Sequence, residues 1–128
     1  MHELGIAQSI ISILRDESTS RGLHPRCVSL RIGELSDVVP DSLNFALQVL
    51  IRDTKFGQVE FTQRVIPVRL RCRSCQIEYQ ASPRDLSCPG CHECKVDLLS
   101  GQELEIDSIE FWSQDEFPYG RSNRVREP

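Results

Sequence analysis

Nothing in the chain is apolar for long enough to cross a bilayer. The runs Ile10-Ile11 and Ala46 to Ile51 fall far short of a spanning helix. No basic, apolar leader opens it, because Met1-His2-Glu3 carries an acid where a secretory signal carries lysine or arginine. Aromatic residues amount to only 6%. A nucleic-acid footprint needs a basic excess interleaved with aromatic rings. Arg64, Arg69, Arg71, Arg73 and Arg84 do gather in one region, but only Tyr79 lies among them, so neither a membrane nor a nucleic-acid partner is expected. The chain also lacks a glycine-rich phosphate loop and a His-Glu-x-x-His pair, which removes the commonest nucleotide and metalloprotease chemistries. These absences leave a cytoplasmic protein as the expectation.

What is present is ordinary in bulk. With 128 residues, 39% hydrophobic and 27% charged, the chain is one domain or a small domain carrying a smaller module. Its net charge of −4 is unevenly spread: the arginines above precede a strongly acidic stretch running from Asp97 through Glu103, Glu105, Asp107 and Glu110 to Glu116. Solvated faces, partly paired with each other, account for this distribution.

The cysteines are not ordinary. Cys72-Arg-Ser-Cys75 and Cys88-Pro-Gly-Cys91 are two Cys-x-x-Cys pairs separated by twelve residues. One such pair is compatible with redox chemistry, but two at this spacing present four thiolates to a tetrahedral Zn²⁺, each sulfur at ~2.3 Å. The segment between them is short and polar, so the metal supplies the cohesion that a core would otherwise give. Four thiolates also close the coordination shell, which suits a structural ion and not a hydrolytic one. Cys94 complicates the count, because Cys91-His92-Glu93-Cys94 is itself a Cys-x-x-Cys. The Pro-Gly turn favours Cys88 and Cys91, with Cys94 as the alternative. His92 reads as an exposed turn residue and Cys27 as a small half-buried apolar one.

Periodicity gives the rest of the organisation. Leu4, Ala7, Ile10, Ile11 and Leu14 recur at helical spacing, and Arg21-Gly22 stops that helix, with Pro25 just beyond. Cys27 to Gly33 alternates as a half-buried strand with Val28, Leu30 and Ile32 inward. Pro40-Asp41-Ser42 opens a second helix with Leu43, Ala46, Leu47 and Leu50 on its buried face. Alternation resumes at Val59 and continues to about Val68, and again from Leu104 to Phe111. The expected fold is α+β: two helices packed on a small three-stranded sheet, with a zinc-ribbon module inserted between two of the strands. The domains read as 1–67 plus 101–113, then 68–100 for the ribbon, with 114–128 a disordered tail.

His2 directly follows the initiator residue. A terminal amine at Met1, the His2 amide nitrogen and the His2 imidazole close adjacent chelate rings around one ion, leaving a fourth position for the Glu3 amide or carboxylate. Tetragonal nitrogen and oxygen coordination suits Ni(II) or Cu(II) and fits zinc poorly. Read alone, the same residues are an ordinary helix start, with Glu3 complementing the helix dipole.

Taken together, several segments resemble the HypA/HybF nickel metallochaperones of [NiFe]-hydrogenase maturation. They are Met1-His2-Glu3-Leu4, the stretch Arg31-Ile-Gly-Glu-Leu-Ser-Asp-Val38, the helix start Asp41-Ser-Leu-Asn-Phe-Ala46, the paired Cys-x-x-Cys and Gly101-Gln-Glu-Leu-Glu-Ile-Asp-Ser-Ile-Glu110. The resemblance implies a non-enzymatic protein that binds Ni(II) through His2, with nearby backbone nitrogens and Glu3 in support. It also implies that Cys72, Cys75, Cys88 and Cys91 hold a structural Zn(II). The implied partners are the GTPase HypB, the hydrogenase large-subunit precursor and, for some relatives, urease accessory proteins. One departure stands out: His92-Glu93-Cys94 replaces the glycine that usually follows the last cysteine. The rival reading is a zinc-ribbon interaction module with no nickel role.

Overall fold

The structure is a computed structural model that describes residues 2–113. Met1 and the tail expected over 114–128 therefore lie outside the described residues. The elements run α1 (Glu3–Arg21), β1 (Pro25–Gly33), α2 (Pro40–Ile51), β2 (Glu60–Ile66), β3 (Val68–Cys72), β4 (Glu78–Ala81), β5 (Val96–Ser100) and β6 (Leu104–Phe111). They form two three-stranded sheets, ordered β2-β1-β6 and β4-β3-β5. The chain divides into two compact units. One comprises 2–30, Val38–Thr62 and 106–113, and the other Arg31–Asp37 and Gln63–Glu105.

In the first unit α1 packs against α2. Ala7, Ile10, Ile11 and Leu14 are buried as their spacing predicts, whereas Leu4 in the first turn stays 53% exposed. On α2 the buried row is Leu43, Leu47 and Ile51, with Ala46 beside it. Leu50, expected on the same face, is only half-buried. The helix stop at Gly22 adopts φ 65°, a left-handed C-cap that glycine enters without penalty. Its amide and that of Leu23 donate to the Ser18 carbonyl at 2.9 and 3.3 Å. The buried Ser18 hydroxyl donates in turn to the Leu23 carbonyl at 2.7 Å, so Ser18 ties off this tight end through both its carbonyl and its side chain. Farther along the unit, the Arg21 guanidinium lies 5.2 Å from the Phe111 ring and that of Arg26 lies 4.8 Å from Trp112.

The second unit departs from the expectation in one respect. Alternation suggested a single strand from Val59 to Val68, but Pro67 separates β2 from β3 because it has no amide hydrogen to give a ladder. β3 then pairs antiparallel with both β4 and β5, in the registers Leu70↔Tyr79 and Leu70↔Leu98. The segments flanking the cysteine pairs thus find partners inside the inserted module, which the sequence had given no sheet of its own. On its exposed side three arginines pair with acids across strands. Arg71 and Arg69 face Glu78 at 2.6 and 4.0 Å, and Arg73 faces Asp97 at 2.8 Å. The Arg71 guanidinium holds the Glu78 carboxyl below the usual carboxylate range. Three of the five arginines thus share two carboxylates, which weakens the support for a nucleic-acid surface.

The shape of the second unit depends on two glycines. The Gly33 amide donates to the Glu103 carbonyl and the Leu35 amide to the Gly101 carbonyl, both at 2.7 Å. A Cβ on Gly33 would overlap the Gly101 carbonyl and the Gln102 amide nitrogen. Gly101 itself has φ +124° and runs so close to β3 that a Cβ there would lie 3.0 Å from the Val68 Cα. Between them, the Glu34 carboxylate accepts the Val68 amide at 3.0 Å.

Candidate metal centre

The two Cys-x-x-Cys segments adopt the same backbone form twice. In the first, the Cys72 amide donates to the Ile77 carbonyl at 2.9 Å, and the Gln76 amide returns to the Cys72 carbonyl at 2.8 Å. In the second, the Cys88 amide donates to the Glu93 carbonyl at 2.9 Å, and the His92 amide to the Cys88 carbonyl at 2.8 Å. The residue after each second cysteine is left-handed, Gln76 at φ 65° and His92 at φ 62°. Each loop also aims an amide at its first sulfur: Cys75 N–H at Cys72 Sγ and Gly90 N–H at Cys88 Sγ, both at 3.3 Å. Amides directed at sulfur stabilise thiolate over thiol.

These loops bring Cys72, Cys75, Cys88 and Cys91 together, with all four sulfurs within 4.8 Å of one another. Cys72 Sγ and Cys91 Sγ stand 3.6 Å apart. That is far beyond a disulfide bond and close to the ~3.8 Å edge of a tetrahedron whose centre lies ~2.3 Å from each sulfur. The donor set therefore fits a tetrahedral zinc ion. Cys72 and Cys88 are fully buried, Cys91 is half-buried and Cys75 is exposed. Cys94, the fifth candidate, is exposed and does not belong to the group.

The electrostatics point the same way. Amide hydrogen bonds from Cys91 and Gly90 draw the Cys88 thiol down to about 7. The Cys91 sulfur, followed by burial, pushes Cys75 up to about 12. Four thiols this close cannot all ionise without a cation among them, so the cluster as folded is a site that a divalent ion completes.

A left-handed conformation costs a side-chain-bearing residue about 1 kcal/mol. His92→Gly is therefore expected to raise the stability of the metal-loaded protein by about that amount, read as an upward shift in urea midpoint. A lower midpoint would mean that the imidazole holds something in place.

The other candidate residues lie in the first unit. His2 is exposed and forms the N-cap of α1, with φ 166°, and its side chain makes no capping bond. Its carbonyl accepts the Ile6 amide at 3.1 Å, so the helix begins at Glu3 and the amide nitrogens of His2 and Glu3 precede the first intrahelical donor. Glu3 is tied elsewhere. Its Oε2 accepts the Val39 amide at 3.0 Å, and this bond, followed by one from its own amide, holds its carboxyl below the usual range. Sequence reading missed this contact, since a glutamate at a helix start looks like a complement to its own helix and carries no mark of a partner 36 residues away.

Comparison with known proteins gives a consistent picture. Residues 1–111 match the family model described as hydrogenase/urease nickel incorporation, metallochaperone, hypA. The chain is 34% identical to the hydrogenase maturation factor HypA of Desulfatibacillum aliphaticivorans, over 99% of each protein. It is 39% identical to that of Desulfosudis oleivorans, over 86% of this chain and 97% of the relative. In fold it resembles the solution structure of the Ni metallochaperone HypA from Helicobacter pylori. The TM-score there is 0.61 at 22% identity, covering 87% of this chain and 97% of the other.

Proposed function

The chain belongs to the HypA family of hydrogenase/urease nickel-incorporation metallochaperones, and from that premise we propose that it carries Ni(II) at its N-terminus on nitrogen ligands centred on His2. A metallochaperone moves its cargo without transforming it, so the protein is not an enzyme. In this reading the donors are the amine of a free Met1, the His2 amide and imidazole, and a group of Glu3. Zinc belongs to Cys72, Cys75, Cys88 and Cys91, where it holds the ribbon together. The recipient is the [NiFe]-hydrogenase large-subunit precursor, reached with the GTPase HypB, and urease accessory proteins form a second route. The exchange belongs in the cytoplasm, where thiols stay reduced. No helix among the described residues is long and apolar enough to cross a membrane.

The observation that supports this best is the state of the backbone at His2. Ligation by an amide nitrogen requires its deprotonation, which inside a helix would break a hydrogen bond. At His2 and Glu3 the amides come before the first intrahelical donor, Ile6, so ligation breaks no helical hydrogen bond of α1, and at Glu3 it gives up only the bond to its own carboxylate. An exposed terminus also lets an acceptor replace one ligand at a time, whereas a closed set of four thiolates does not.

His2→Ala should abolish stoichiometric nickel binding and leave zinc content and far-UV circular dichroism unchanged. Metal analysis after nickel titration of untagged protein measures all of this. A variant that still takes up one nickel with similar affinity would remove His2 from the site.

A further inference from the structure

The Glu3–Val39 contact joins the two helices at their starts, and its form is specific. α2 has Val39 as its N-cap and Pro40 at its first turn, and no side chain of its own caps it. In a capping box, a glutamate at the third helical position reaches back to the amide of the N-cap residue. The third position of α2 is Ser42, which is too short and has no carboxylate. Glu3 makes that bond from another helix, with its Oε2 3.0 Å from the Val39 nitrogen. Glu3 is also the first residue of α1 and the one next to His2. Fixing its side chain on α2 restrains the turn from which His2 projects.

We infer that Glu3 is a positioning residue for nickel: its carboxylate ties the first turn of α1 to the Val39 amide and so presets the nitrogens around His2, and it does not itself ligate the ion. This rests on the nickel site proposed above and sharpens it, since it assigns any contribution of Glu3 to the coordination shell to its backbone nitrogen. The carboxylate accepts the Val39 amide through Oε2 and its own backbone amide as well, so turning it toward the metal would cost both bonds. Its bond to Val39 completes a helix start whose N-cap side chain makes no capping bond, so leaving it would strip α2 of that support.

Four variants separate the possibilities, each titrated with nickel chloride in the untagged, zinc-loaded chain while the visible absorption bands of Ni(II) are recorded. Glu3→Gln keeps an oxygen that accepts the Val39 amide, and nickel affinity should stay within about twofold of the parent. Glu3→Ala loses the tether and should bind about tenfold more weakly, the scale of one hydrogen bond to a charged group, with unchanged absorption bands because the donor atoms are the same. Val39→Pro removes the amide hydrogen from the other side, at an N-cap residue whose amide lies outside the helical ladder, and it should reproduce the Glu3→Ala loss. In Glu3→Ala, amide exchange at Val39 should also accelerate before any metal is added.

The inference is overturned if Glu3→Gln loses as much affinity as Glu3→Ala, if either shifts the bands, or if Val39→Pro binds like the parent while Glu3→Ala does not. Each of those results makes the carboxylate a ligand. His2→Ala, run in parallel, isolates the underlying site: nickel retained there would sink the N-terminal site as a whole, whereas nickel lost there with no difference between Glu3→Gln and Glu3→Ala would sink only the tether.

Discussion

Cys88→Ala is expected to yield a protein without stoichiometric zinc in which the β4-β3-β5 sheet has lost its amide protection, while α1 and α2 retain their helical signal. The effect is large because little else holds that module together. Its buried side chains are few, and Cys72 and Cys88 are two of them, both fully enclosed. Structural zinc contributes ~10–16 kcal/mol of apparent binding energy in small finger peptides, more than three short strands with one apolar face can replace. Zinc stoichiometry and hydrogen exchange by residue measure the outcome, with Cys94→Ala as the companion. Since Cys94 lies outside the sulfur cluster, that variant should keep its zinc. Full zinc in Cys88→Ala, or none in Cys94→Ala, would assign a different ligand set.

Gly33→Ala is expected to cost about 3 kcal/mol, the upper end for an overpacked site. The added methyl meets backbone and not a flexible side chain: the Gly101 carbonyl and the Gln102 amide nitrogen occupy its place. Relief would require separating strands that are held by the Gly33–Glu103 and Leu35–Gly101 hydrogen bonds. The Glu34–Val68 contact beside them would be disturbed as well. Urea unfolding of the zinc-loaded variant measures the loss. An unchanged midpoint would mean that this crossing is far looser than its hydrogen bonds indicate.

What could be read from the sequence was whatever local periodicity or chemistry encodes. The face of α1 from Ala7 to Leu14, the alternation of Val28, Leu30 and Ile32, and the left-handed stop at Gly22 are dictated within a turn or two of each residue. The sulfur cluster was legible for the same reason, because each pair is a short loop whose geometry follows from its spacing. Four features were not legible. The break at Pro67 hid within a continuous alternation, since a period of two does not reveal where one sheet ends and another begins. Pairing of the arginines around Cys72 with acids was expected, but which acids was not legible until the β3 registers set Glu78 and Asp97 opposite that strand. Gly33 and Gly101 were noticed only as parts of motifs. Their shared reason, two backbones crossing without room for a side chain, exists only once segments far apart in the chain have met. Glu3 belongs with them, because nothing near it in sequence announces Val39.

The close approach of Gly101 to Val68 has a consequence for the history of the chain. The Ser100 hydroxyl donates to the Pro67 carbonyl at 2.9 Å, so the residues that leave for the cysteine module and those that return from it stand side by side. A segment whose two feet touch does not alter the span between the strands it interrupts, whatever its length. The module can therefore lengthen, shorten or exchange its loops as a cassette, and the geometry at its base need not register the change.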